Sequence, residues 1–409
     1  MKNKLYPLIF KPILKERVWG GSQLVDEFHK IDLEENAQDE DNRLDLKHIG
    51  ESWEIADIYE DQSEVVNGFL AGNRINEIIE TYFGSIVGDN IFDHYGVMFP
   101  LLIKFLNIED KISVQSHPDD SIALERYYAL GKDELWYVMD AKPGSKIYIG
   151  LKRDITAEEF YYKCKDGTIV EVLNEFEPKR GDSFYIKAGT IHSAKGSLLL
   201  TEIQQSSDIT FRLYDWGREN NPATARDMHL EEAIDCVDLN KYRVEDNYIS
   251  AADGGYKLVD DKHFVANKVS VDMRYHIETD SITSFIIYIC TDGKVEISST
   301  STDEKYTISK GECVLIPSEV YDVTFDAIGG KAELIEVYMP QILEKKDEYI
   351  NEDVSEDISP EIEKRCSCND EDHDHHHHHS GCTCGCEDDE EDDEEDDEED
   401  DDYDELIQW

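Results

Sequence analysis

At 409 residues, 40% of them hydrophobic, the chain can hold two domains and bury substantial cores. Its 94 acidic against 40 basic residues give a formal net charge of −54, which opposes coating of nucleic acid or anionic membrane, so any phosphate must be held by a few well-placed Lys and Arg side chains. No apolar run approaches the roughly 20 residues of a membrane helix, and the N-terminus MKNKLYPLIFKPILKERVWG is a poor signal peptide, its apolar stretch broken by Pro and Lys; a cytoplasmic protein with no membrane or nucleic-acid partner is expected.

In chain order, RVWGG and GESWE flank residues Ile31 to His48, which are polar, acidic and without period and read as a surface insertion or flexible loop. Ile75, Ile78, Ile79, Tyr82, Phe83 and Ile86 recur at helical spacing. FPLLIKFLNI reads as a strand in which Lys104 shares a face with Leu102 and Leu106, so it either snorkels at an edge or meets an anion. A helix is predicted from Asp119 to Leu130, ending at Gly131. Another runs from Thr156 to Lys165, opened by a capping box of Thr156 and Glu159 and closed before Gly167. GSKIYIGL, GDSFYIKAG, GSLLLTEIQQ, TSFIIYIC and ECVLIPS read as strands between turn residues, and their predominance favours a barrel or jelly roll.

Four residues of metal-ligating type lie on three of these segments: Gln115 and His117 in VQSHPDD, Glu134 in GKDELWY and His192 in AGTIHS. Residues i and i+2 of a strand project from one face, so Gln115 and His117 can offer an amide oxygen and an imidazole nitrogen to one point. Two nitrogens and two oxygens suit zinc first, manganese or iron second. His29, His48, His94, His229, His263 and His276 have no partner at ligand spacing and read as structural or surface residues. Glu202, in TEIQQ, is a candidate carboxylate base or a solvent-facing strand residue.

VQSHPDD, GKDELWYVMDAKPG, AGTIH and TEIQQSSDITFRLYDWGR, in this order behind RVWGG and GESWEIAD, closely resemble the type I mannose-6-phosphate isomerases in their bacterial form, from about Leu5 to about Pro340. The resemblance implies interconversion of mannose 6-phosphate and fructose 6-phosphate through an enediol, with Zn2+ on Gln115, His117, Glu134 and His192. It makes Arg212, with Asp208 four residues before it, an active-site arginine that stabilises developing negative charge. It sets Lys132 beside the metal, Lys104 on the sugar or its phosphate, and Trp19, Glu51 and Trp53 at the pocket border. The proton carrier is left open between Lys132, Glu202 and a zinc-bound water. The alternatives are a non-catalytic cupin that senses sugar phosphate and a metal buffer acting through its tail.

GDSFYIKAGTIH (Gly181 to His192) aligns without gaps with GECVLIPSEVYD (Gly311 to Asp322), and both look like the second signature of cupins. The second copy has Asp322 where the first has His192, so it reads as a degenerate partner. The expected architecture is mainly β: a metal-binding cupin-like jelly roll with helical insertions over residues 1–240, a second cupin-like domain over 241–345, and a tail over 346–409. From Asn351 onward the chain holds 28 acidic and 2 basic residues, and RCSCNDEDHDHHHHHSGCTCGC packs five cysteines and six histidines. Such a segment has no core to bury, so it should be disordered when unloaded and can bind additional divalent metal.

Overall fold

The computed structural model describes residues 4–31, 33–38, 43–277 and 282–342. The acidic Cys/His tail lies outside them. Two antiparallel sheets build the first barrel. One has seven strands in the order Ile13–Gly21, Ile49–Ile55, Leu101–Ile108, Leu198–Gln205, Glu134–Ala141, Ser183–Ile186 and Tyr248–Ile249. The other has five, in the order Phe211–Tyr214, Val114–Ser116, His192–Lys195, Lys146–Leu151 and Leu173–Phe176. Every residue of Leu101–Ile108 and of Leu198–Gln205 is buried, because both faces of the larger sheet are covered. Leu101, Ile103 and Phe105 join a large apolar core shared with the helices and the second barrel, whereas Leu106 and Ile108 pack inside the first barrel against Ile147, Ile149 and Ala194 of the smaller sheet. Lys104, Glu202 and Gln204 therefore point into a protein interior, where a charge is stable only with a partner.

The predicted helices form with small adjustments. The first breaks at Phe83, whose φ of 53° separates Ile75–Tyr82 from Gly84–Val87. The second spans Asp120–Tyr127 with the Asp119 side chain capping Ile122 N. The third spans Ala157–Lys165; Thr156 Oγ1 accepts from Glu159 N at 3.0 Å, but the Glu159 carboxylate turns to Arg153 instead of closing the capping box. Inside the stretch expected to be a loop, Leu33–Gln38 is helical, and the buried Asn36 side chain holds both backbone groups of Leu44. Those two hydrogen bonds supply order that hydrophobic period could not announce.

A third sheet begins at Lys257 and runs Lys257–Asp260, Val265–His276, Val323–Tyr338, Ile286–Ser299 and Thr302–Ser309, with Cys313–Ile316 paired to Ile286–Ser299. The internal echo is visible in its turns. Gly181 and Gly311 both have left-handed φ, 91° and 87°. The acid after each accepts from the backbone N three residues upstream, Asp182 from Lys179 at 2.9 Å and Glu312 from Ser309 at 2.6 Å. The copies diverge where metal would bind. Ile186 lies opposite Glu134, whereas its counterpart Ile316 lies opposite Ile286, and Asp322 is exposed. The four cysteines of the body are free, and no described helix is long and apolar enough to cross a membrane.

Candidate metal centre

Register brings the sequence-predicted residues together from two facing sheets. On the smaller sheet Arg212, Gln115 and His192 are successive cross-strand partners. On the larger sheet one row runs Leu102, Gln204, Glu134, Ile186, and the next runs Trp53, Lys104, Glu202, Trp136, Phe184. His117, Glu134 and His192 meet between the sheets with their ligand-type atoms within 4.8 Å of one another, all buried. Glu134 Oε1 is 3.1 Å from His192 Nε2, and its Oε2 is 3.5 Å from His117 Nε2. Gln115 joins them through its amide, 3.2 Å from His192 Nε2, with its other end on Ser113 Oγ at 3.1 Å. A half-turn of that amide exchanges its nitrogen for its oxygen at the cluster.

The tautomers follow from the outer contacts. His117 Nδ1 lies 2.9 Å from Ile209 O and His192 Nδ1 2.9 Å from Thr190 O. A carbonyl only accepts, so each ring carries its proton on Nδ1 and turns a bare Nε2 lone pair inward. Burial, reinforced by Lys132, holds the His117 pKa down to about 3, keeping that imidazole neutral. Burial pushes the Glu134 carboxyl up, but the Lys132 ammonium in contact with it outweighs burial and holds the group well below the carboxylate range. Glu134 Oε1 is consequently a buried charged oxygen without a hydrogen-bond donor. Two inward lone pairs beside an orphaned carboxylate oxygen are the donor set a divalent cation completes. Lys132 already answers that field: its Nζ contacts Glu134 and lies 3.2 Å from His117 Nε2.

Charged residues border the cluster. Lys104 Nζ is 3.1 Å from Glu202 Oε2, both side chains 5% exposed, and Trp136 Nε1 donates to Glu202 Oε1 at 2.8 Å. Either charge left alone there would cost about 3–5 kcal/mol. The solvent-facing alternative for Glu202 is thereby excluded, and the base role is weakened, since each carboxylate oxygen already has a donor. Arg212 donates from Nη1 to Asp227 O at 2.5 Å, its Nε is buried without a partner, and burial together with Arg226 lowers its pKa to about 10. The Asp208 charge acts on Arg17 and Lys104. Trp19, expected at the pocket border, is 4% exposed and packs with Leu106, Ile108 and Trp136, so its ring meets apolar side chains.

Arg17 escaped the sequence reading. It forks onto Glu51 through Nε at 2.8 Å and Nη2 at 3.2 Å, and Trp53 Nε1 donates to the same carboxylate at 2.7 Å. Burial opposes ionisation of Glu51, but Arg17, Lys104 and these hydrogen bonds bring its pKa from 4.5 down to about 2. The folded pKa lies below the unfolded value, so this stabilisation is present above about pH 4.5 and lost as pH falls towards 2, on the order of 3 kcal/mol. Glu51→Gln should lower stability at pH 7 and flatten the acid limb of chemical denaturation measured over that window; an unchanged acid limb would contradict the assignment.

A jelly-roll sandwich with two histidines and a carboxylate converging between its sheets defines a metal-binding, cupin-type protein. The model of the phosphomannose isomerase type I catalytic domain matches residues 8–163. Mannose-6-phosphate isomerase ManA of Bacillus subtilis is 35% identical over 237 residues, covering 57% of this chain and 68% of that protein. The mannose-6-phosphate isomerase of Streptococcus mutans is 28% identical over 334 residues, covering 80% and 97%. A crystal structure of the mannose 6-phosphate isomerase from Bacillus subtilis superposes with a TM-score of 0.68 at 25% identity, covering 82% of this chain and 100% of that one. The chain belongs to the type I phosphomannose isomerase family and is an isomerase.

Proposed function

We propose that the chain interconverts mannose 6-phosphate and fructose 6-phosphate through an enediol, with one zinc ion held by Gln115, His117, Glu134 and His192. The observation that carries the metal reading is the pairing of two inward Nε2 lone pairs with the orphaned Glu134 oxygen. Bound there, zinc supplies Lewis-acid polarisation of the sugar oxygens without a change of oxidation state.

The side chains divide the remaining work. Lys132 Nζ, already touching Glu134 and His117, is the ammonium that returns a proton to the enediolate, while the first proton must be taken from the sugar carbon by an unprotonated base, either Glu202 or Lys132 in its amine form. Arg212, with its unpartnered Nε, faces the charge that develops on the enediolate. Glu202, with both oxygens held, fixes Lys104, whose ammonium meets the sugar or its phosphate. Trp19 backs the apolar wall behind Trp136. Four free thiols in the body suit a reducing cytoplasm. Turnover of mannose 6-phosphate in deuterium oxide should place deuterium on the product in at least a fraction of turnovers; a product free of deuterium after complete conversion would point to direct hydride transfer and sink the enediol.

The five cysteines and six histidines between Cys366 and Cys386 support a second, accessory metal site of thiolate and imidazole donors. Equilibrium dialysis under reducing conditions should find more zinc per full-length chain than per chain ending at Ile350, with isomerase turnover nearly equal. Equal zinc counts would refute the tail site.

A further inference from the structure

In a second group of ligand-type side chains, Asp133, Asp261 and His263, the ligand atoms lie within 4.8 Å of one another. Its oxygens are spoken for: Asp133 Oδ1 accepts from Ala188 N and Oδ2 from the Tyr185 hydroxyl, each at 2.7 Å, and Asp261 also reaches that hydroxyl. It is a joint between barrels, and its location gives it a use. Lys132 and Glu134 turn their side chains to the metal cluster, whereas Asp133, between them, turns away towards Tyr185 and the second barrel.

The same short segment is gripped at every residue. Asp120 Oδ1 accepts from Gly131 N at 3.0 Å and from Gln205 Nε2 at 2.8 Å. Gln205 Oε1 accepts from Asp133 N at 3.0 Å, Gln205 N donates to Asp133 O at 3.2 Å, and Lys132 N donates to Pro118 O at 3.0 Å. Gly131 runs so close to Asp120 that a Cβ there would lie 2.5 Å from Asp120 N. Asp120 is held from the far side by the second barrel: its Oδ2 is 3.4 Å from Nε2 of His263, 8% exposed, and 3.7 Å from the exposed Lys262 ammonium.

We propose that the turn from Asp261 to Phe264 of the second barrel is a positioning element for catalysis, in which His263 acts through Asp120 and Gln205 to fix the segment that presents Lys132 and Glu134 to the metal and the sugar. A side chain held within a fraction of an ångström by such outer contacts loses metal affinity and rate when they are removed, typically 10–100-fold. The inference rests on the isomerase reading for its kinetic arm alone.

The test compares His263→Ala, His263→Gln, Asp120→Asn and the His263→Ala/Asp120→Asn double variant in the full-length zinc-loaded protein for kinetics and in the chain ending at Ile350 for zinc loss, well below the unfolding midpoint. Asp120→Asn keeps the Oδ1 acceptor for Gly131 and Gln205 and removes the charge that faces His263. His263→Ala is expected to lower kcat about tenfold and to speed zinc loss from the barrel to a chelator about tenfold, with KM held within about twofold. His263→Gln should recover most of both, Asp120→Asn should match His263→Ala, and the double variant should be no worse than either. Wild-type kcat and zinc-loss rates in His263→Ala and Asp120→Asn, with only the unfolding midpoint lowered, would overturn the proposal, as would fully additive effects. If His263→Ala does not fold, Asp120→Asn decides alone. Absence of isomerisation in the wild type would instead fault the functional reading, and the zinc-loss rate would still report on positioning.

Discussion

His192→Ala and Glu134→Ala should each abolish isomerisation and, together with it, the metal tightly held by the first barrel. Each change removes one donor from the proposed set of four, and Glu134→Ala also strips Lys132 of its carboxylate partner. Emptying a fully buried position costs about 2–5 kcal/mol, within the 5–15 kcal/mol that stabilises an ordinary domain, so the variants should still fold. Glu134→Gln, which keeps the shape and drops the charge, should lose metal nearly as completely. Metal analysis belongs on the chain ending at Ile350, where tail donors cannot mask the loss, with near-ultraviolet circular dichroism as the check on folding. Full turnover in either alanine variant would remove the cluster from the reaction.

Arg212→Ala should lower kcat at least about a hundredfold, equivalent to about 2.7 kcal/mol of transition-state stabilisation, while zinc content stays at the wild-type value. The expectation comes from a guanidinium whose Nε is buried without a partner and whose pKa burial has already lowered to about 10. A group left short of hydrogen bonds in the resting protein gains most when charge develops beside it. Arg212→Lys should rescue poorly, because an ammonium cannot reproduce the planar fork. Steady-state kinetics separate the roles: a change confined to KM would make Arg212 a substrate-binding residue.

The side chains that converge between the sheets were legible because each sits in a short motif and strand alternation already placed Gln115 and His117 on one side; the smaller sheet then set Gln115 beside His192 by register. Lys104 was legible as an anomaly, a charge on an apolar strand face, and its partner Glu202 lies directly opposite on the neighbouring strand. What sequence could not supply was the burial of both faces of the larger sheet, which turned Glu202 from an apparent surface residue into half of an interior ion pair. Trp19 shows the converse, an aromatic beside two glycines that belongs to the core. The His263 joint has only Asp261 beside it in sequence; Asp120 and Asp133 lie far back in the chain and come to it only when the second barrel docks. Asn36 likewise ordered a stretch whose acidic, aperiodic composition suggested a loop.

The most direct test of a metal-dependent isomerase is an enzyme-linked assay of mannose 6-phosphate conversion on protein stripped by a chelator and then restored with zinc. Turnover should vanish on stripping and return as zinc approaches one ion per first barrel, measured on the chain ending at Ile350. Undiminished conversion by protein shown to be free of metal would contradict the site, whatever its geometry.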